Sequence, residues 1–230
     1  MKIIVIDTET TGLPERDASI YDVAKWPHII QISWAIYDEN EEKVIKEYNA
    51  IISLGTNIPI PDESVAIHGI TREMSLSQGI PISAALFDLK MDMSQCERVV
   101  AHNLSFDKRM IMVESKRNRV YLDFCKNEYC TMKNSVDLCK LEKKTYAFPE
   151  TNINNNNAST NIAPSPETTT TTTTTTTTPR SQYKLPKLVE LYAFLYPDEP
   201  IPDNLHNSKV DVEICLRCYI ALMEMKKKVD

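Results

Sequence analysis

No stretch of this chain approaches the roughly 18 consecutive apolar residues of a membrane-spanning helix. A secretory leader is missing as well. Ile3-Ile4-Val5-Ile6 is a short apolar run that meets a charge at Asp7, too short for a signal core. Positive charge is in deficit: the formal net charge is −6. That excludes a global field that gathers nucleic acid, so any such contact must come from a local basic patch or a bound cation. No histidine neighbours the cysteine pairs Cys215/Cys218 and Cys125/Cys130. A zinc site built from those four is therefore the weaker reading beside ordinary buried cysteines. Without an export signal, the six cysteines read as reduced thiols in an intracellular compartment, cytoplasmic or nuclear.

Hydrophobic residues make up 42% of 230 residues, enough for one sizeable core. One segment differs from the rest. Thr151 to Arg180 holds Asn154 to Asn157 and an unbroken threonine run from Thr168 to Thr178, with only Ile153 and Ile162 as large apolar residues. It cannot bury enough surface to offset its ordering entropy and is expected to be a disordered insert. Charged and polar candidates fall on both sides of it, so residues 1–230 read as one domain with a loop insertion rather than two domains and a linker.

The remainder alternates in type. Lys2 to Ile6 reads as a strand buried on both faces. His28 to Tyr37 sets Ile30, Ile32, Trp34 and Ile36 against Gln31, Ser33 and Ala35, and Val44 to Ile52 follows after a polar turn, predicting an antiparallel meander. Ile82 to Met93 has apolar residues at helical spacing. Arg98 to Ala101 reads as a strand, Ser105 to Arg119 as a helix, and Met132 to Val136 as a short last strand. Leu185 to Tyr196 and Ser208 to Lys228 read as helices. The sum is an α/β pattern of a mixed sheet flanked by helices.

Five residues carry the chemistry. Asp7 and Glu9, two apart at the end of a strand, point to one face, where two carboxylates repel unless a cation lies between them. Asp107 sits in the first turn of a helix that follows a strand, a place the helix dipole alone explains. Ser208-x-x-Asp211 reads as a capping box. Yet Asp211 heads a stripe with Cys215, Tyr219 and Leu222, and a carboxylate on a core-facing stripe needs a partner. Lys209 is one candidate, and a cation shared with Asp7 is the better one. His206 lies just outside that helix. Lys108, Arg109, Lys116, Arg117 and Arg119, or Lys184 and Lys187, form local basic groups that could meet a phosphate backbone.

Taken in order, these pieces resemble the DEDDh 3′→5′ exonucleases, the group of the DNA polymerase III epsilon subunit. The matching residues are Ile6-Asp7-Thr8-Glu9-Thr10-Thr11-Gly12-Leu13, then His102-Asn103 with Phe106-Asp107, and then His206 with Asp211. Ile67-His68-Gly69-Ile70-Thr71 resembles the family's His-Gly-Ile-Thr element, and Ile29-Ile30-Gln31-Ile32 also fits. The resemblance spans 1–145 and 182–228, and departs from the family at the Asn/Thr insert and at Cys130-Thr131-Met132-Lys133.

It implies a ribonuclease H-like fold with a mixed five-stranded sheet. It also implies a site in which Asp7, Glu9, Asp107 and Asp211 hold two Mg²⁺ or Mn²⁺ ions and His206 is the general base. Thr10, Thr11 and Leu13 would contact the terminal nucleotide, with His68 and Asn103 as further contacts. The implied partner is nucleic acid with a free 3′ end, single-stranded DNA favoured, cut to 5′-mononucleotides in proofreading or repair. The motifs name no polymerase or repair partner. They do not encode the sugar either, so an RNA or oligoribonucleotide exonuclease is one alternative. A non-catalytic nucleic-acid or polymerase-binding module is another.

Overall fold

The computed structural model describes residues 1–143 and 182–228. Five strands form one mixed sheet in the order β3-β2-β1-β4-β5: β1 Lys2–Thr10, β2 Ile29–Asp38, β3 Lys43–Ile51, β4 Arg98–Ala101 and β5 Asn127–Cys130. The expected meander is present: β1 runs antiparallel to β2, and β2 to β3. β4 and β5 add in parallel on the other side of β1. β1 is therefore the central strand, and Ile3, Ile4, Val5 and Ile6 are fully buried. The expected strand is longer than its apolar run and carries Asp7 and Glu9 within it.

Alternation along β1 sorts its side chains into two cores. Ile4 and Ile6 pack with α3 (Ile82–Met93) and α4 (Leu104–Asn118). Ile3 and Val5 pack with α7 (Leu188–Leu195) and α8 (Ser208–Lys227). The result is three layers, helices on both faces of the sheet. No helix among the described residues is long and apolar enough to cross a membrane.

Several expectations are corrected. The last strand is Asn127–Cys130, and Met132 to Val136 is not a strand. Thr131–Asn134 (α5) and Val136–Cys139 (α6) are helical turns there. Met132, Val136 and Cys139, at spacings of four and three, carry a helical period, whereas Asn127 and Glu128 are exposed and show no apolar alternation. Both sides of β2 are covered: all ten of its residues are buried, and Gln31 and Ser33 lie under α8.

Two further helices, α1 (Asp62–His68) and α2 (Arg72–Gln78), flank the His-Gly-Ile-Thr element. That element is a helix-to-helix joint. Gly69 takes the left-handed conformation (φ 74°) that ends α1, and the Thr71 hydroxyl caps α2 by accepting from Met74 N at 3.2 Å. The expected disorder of 151–180 falls outside the described residues. The chain on its two sides is close: Lys184 N donates to Leu141 O at 2.9 Å, and Glu142 bridges Tyr183 antiparallel.

Candidate active site

Asp7 and Glu9 continue the Ile3–Val5 face of β1, so they point toward α8. Opposite them on β2 stand Ser33 and Gln31, their register partners. These two hold the start of α8. Ser33 Oγ pairs with Ser208 Oγ at 2.6 Å, and Gln31 Oε1 accepts from Ser208 N at 3.3 Å. Gln31 Nε2 donates to Asn207 Oδ1 at 3.3 Å, and Asn49 Oδ1 accepts from both Gln31 and Ser33. The cap of α8 is Asn207, whose side chain accepts from Lys209 N, so the expected capping box at Ser208 is absent. Asp211 is thereby left to face the sheet. Its stripe is as expected, with Cys215, Tyr219 and Leu222 buried below it. Lys209 is not its partner, because that ammonium lies near Glu213 (3.8 Å) and Glu47 (4.0 Å).

Asp107 arrives from the opposite helical layer. Thr8, between the two acids of β1, points that way and binds it twice: Thr8 N and Thr8 Oγ1 both donate to Asp107 Oδ1, at 3.1 and 2.9 Å. Asn103 ends the β4-to-α4 turn with a left-handed backbone (φ 68°), which turns the chain into the helix that carries Asp107.

His206 is exposed and also left-handed (φ 67°), and its backbone N–H donates to Asp211 Oδ2 at 3.2 Å. One ligand atom each of Glu9, His206 and Asp211 lie within 4.8 Å of one another. Sequence reasoning missed Thr8, Gln31, Ser33, Asn49 and Asn207. The one available signal was that Ala35 and Tyr37 continue the Gln31–Ser33 side in apolar form.

The electrostatics are those of crowded acids. Burial pushes Asp7 well above the ordinary carboxylate range, and Asp107, Asp211 and Glu9 push it further. Glu9 is raised to about 8 by burial, then by Asp211 and Asp107. Burial raises Asp107 to about 7 against the pull of its Thr8 bonds. It raises Asp211 to about 6 against the His206 ring and backbone N–H. No lysine or arginine is among the causes acting on any of the four. A set of buried and half-buried oxygen donors of like charge, with no lysine or arginine among the described residues acting on them, fits hard divalent ions.

The remaining expected contacts are less uniform. Leu13 is 82% exposed and borders, with Thr11, a cavity of about 480 Å³ that Trp26, His28 and Pro59 also line. Thr11 is buried; its backbone N–H donates to His28 O, and its hydroxyl accepts from His28 N. The Thr10 hydroxyl donates to Gly12 O. Both threonines shape the turn after β1. His68 is buried and does not line this cavity; its Nδ1 accepts from Ile70 N, and its Nε2 has no partner among the described residues.

His102 ties the two parts of the chain together through Thr131 Oγ1 (2.9 Å) and Pro186 O (3.0 Å). The basic group on α4 is partly committed. Arg117 binds Glu114 and the carbonyls of Val23, Trp26 and Pro27, and Lys108 pairs with Glu128. Lys184 pairs with Glu190. The four cysteines do not gather, because Cys125 and Cys130 pack on the α3–α4 side of the sheet and Cys215 and Cys218 on the other.

No curated protein sequence matches the chain. Among solved structures, Escherichia coli Exonuclease I in complex with a dA16 oligonucleotide superposes with a TM-score of 0.62 at 14% identity, covering 97% of this chain and 41% of that one. Cell-death related nuclease 4 gives 0.60 at 12%, covering 97% and 64%. A 3′-exonuclease described in 3′-end recognition of a histone mRNA stem-loop gives 0.59 at 13%, covering 96% and 63%. The chain thus spans less than two thirds of each of these proteins, and the likeness shows a shared fold. A family model described as Exonuclease (RNase_T) matches residues 4–167. His206 and Asp211 lie beyond the matched span and join it through the packing of α8. With most of its length matched and the fold shared, the chain belongs to this exonuclease family.

Proposed function

We propose that the chain is a divalent-metal-dependent 3′→5′ exonuclease that releases 5′-mononucleotides from nucleic-acid 3′ ends, with single-stranded DNA favoured. The observation that carries this reading is the convergence of Asp7, Glu9, Asp107 and Asp211 from three elements, with His206 at the solvent-facing rim. In this reading residues 1–230 act as one exonuclease domain, since the acids come from both sides of 144–181. The six thiols are free, which suits a reducing compartment such as cytoplasm or nucleus.

The four carboxylates would hold two Mg²⁺ or Mn²⁺ ions. Bound there, such ions supply Lewis-acid polarisation of the phosphate and a more acidic attacking water. The protein's own groups do the rest. Thr8 fixes Asp107 so that its carboxylate meets those of β1. His206, exposed beside Glu9 and Asp211, takes the proton from the attacking water and passes it to solvent. Leu13 offers an exposed apolar side chain to the terminal base, and Thr10, Thr11 and Asn103 set the backbone around that nucleotide.

One observation favours a second role for His206. Its ring lies close enough to Glu9 and Asp211 to be a metal ligand. Single-stranded DNA is preferred because threading one strand needs no duplex groove and no large basic surface. RNA is the rival substrate, since DNA- and RNA-named relatives superpose almost equally well. A panel of 3′-labelled single-stranded DNA, duplex DNA and RNA with Mg²⁺ or Mn²⁺ tests the reading. Mononucleotide release that EDTA stops supports it; no release from any substrate, or release that resists EDTA, rejects it.

A further inference from the structure

Away from the carboxylate cluster, uncommitted positive charge gathers along α4. Arg109, Lys116 and Arg119 are exposed, and none has a carboxylate partner among the described residues. A spacing of seven places Arg109 and Lys116 on one side of the helix, and Arg119 is its left-handed C-cap, one residue past the last helical position. Each has an aromatic neighbour or a cavity beside it. The Arg109 guanidinium lies 5.8 Å from the Trp26 ring centre, and Lys116 Nζ lies 4.2 Å from that of Tyr21. Lys116 and Arg119 line a surface cavity of about 320 Å³ with Met112 and Tyr121.

Tyr21 is 78% exposed and Tyr121 85%. The helix dipole accounts for cations in the last turn of α4, but not for two bare tyrosines beside them. At about 1.5 Å of rise per residue, Lys116 stands about 14 Å along the helix from Asp107, and Arg119 follows just past the helix end. Trp26 connects the two regions, because it also lines the cavity bordered by Thr11 and Leu13.

We propose that this stripe is a second nucleic-acid contact surface, which receives the single strand upstream of the 3′ end held at the carboxylates. The proposal rests on reading the site as a 3′ exonuclease. Cations meet the phosphates, and the faces of Tyr21 and Tyr121 stack on bases, the combination that single strands require. In a chain of net charge −6, such a local stripe is what positions a polyanion.

The test is binding of the full chain, measured in EDTA by fluorescence anisotropy, to 5′-labelled oligothymidylates of about 20 and about 4 nucleotides. The expected result is that Lys116→Gln/Arg119→Gln weakens binding of the longer strand about tenfold. Its salt slope should fall by about 1.4, since each single-strand phosphate contact contributes about 0.7. Tyr21→Ala/Tyr121→Ala should lose affinity for the longer strand at an unaltered salt slope.

Lys227→Gln/Lys228→Gln removes the same charge from the far end of α8 and should bind as the parent does. Unchanged binding of the longer strand by the α4 variant, or an equal loss in the α8 variant, overturns the proposal. Failure of the exonuclease reading shows separately, as no mononucleotide release by the parent chain with Mg²⁺ or Mn²⁺.

Discussion

Asp7 meets burial and three like charges at once. Such a residue costs stability whenever no cation is bound. Asp7→Asn keeps the shape and removes the charge. It is expected to abolish mononucleotide release while raising the melting temperature in EDTA by about 2–4 °C, the shift for roughly 1 kcal/mol in a chain of this size. A lower melting temperature would show that Asp7 is not under electrostatic load.

His206→Ala separates the two roles open to that side chain. As a general base it should lose about 10²–10⁴-fold in turnover, with Mn²⁺ affinity by calorimetry unaltered; a large drop in affinity would make it a ligand. Asp7 and Glu9 were legible because two strand positions, two residues apart and so on one face, suffice to read them. The part played by Thr8 was not, because its partner Asp107 lies 99 residues away and only folding brings the two together.

At the scale of elements, α8 is aimed by its first turn. Gln31 holds that turn through Ser208 N and Asn207 Oδ1 and joins Asn49 as well. Gln31→Ala is expected to cost about 1–3 kcal/mol in urea unfolding, the cost of leaving buried partners unsatisfied. It should also weaken divalent-ion affinity, because Asp211 moves with the helix. Unaltered metal affinity would mean that α8 is aimed by its apolar stripe alone.

Periodicity revealed α3, α4, α8 and the β1–β3 meander, since their packing faces are long and regular. It failed at β5, a short strand with an exposed first half, and it said nothing of what covers the polar side of β2. Alternation reports that two faces differ, not that one of them is wet. Here the polar side is buried because another polar surface, Asn49 with the cap of α8, covers it.

Over the whole molecule, the acid cluster makes stability depend on pH in a stated direction. Unfolded carboxylates titrate near about 4, whereas Asp211, Asp107 and Glu9 stand at about 6, 7 and 8. Groups raised in the folded state leave stability intact below the unfolded value and remove it as pH climbs through the folded ones. Metal-free protein should therefore melt progressively lower between about pH 5 and pH 8, and the gain in melting temperature on adding Mg²⁺ should grow over that interval. A gain that shrinks with pH would contradict the metal assignment.

The closeness of Leu141 and Lys184 predicts that replacing 144–181 by a short glycine-serine turn leaves the melting temperature within about 4 °C and turnover within about twofold; a collapse of either would give that segment a structural part. The alternation of β1 has a last consequence. Odd positions of the strand carry Ile3, Val5, Asp7 and Glu9, and even ones carry Ile4, Ile6 and Thr8. Sliding the strand by one residue would set a charge in a fully buried place, Asp7 in that of Ile6 or Lys2 in that of Ile3, so the core itself resists the mistake. In either direction the places of Asp7 and Glu9 would pass to uncharged side chains. A misthreaded molecule would thus lose its packing together with its chemistry, and the pairing that buries the apolar run is the same one that aims the acids.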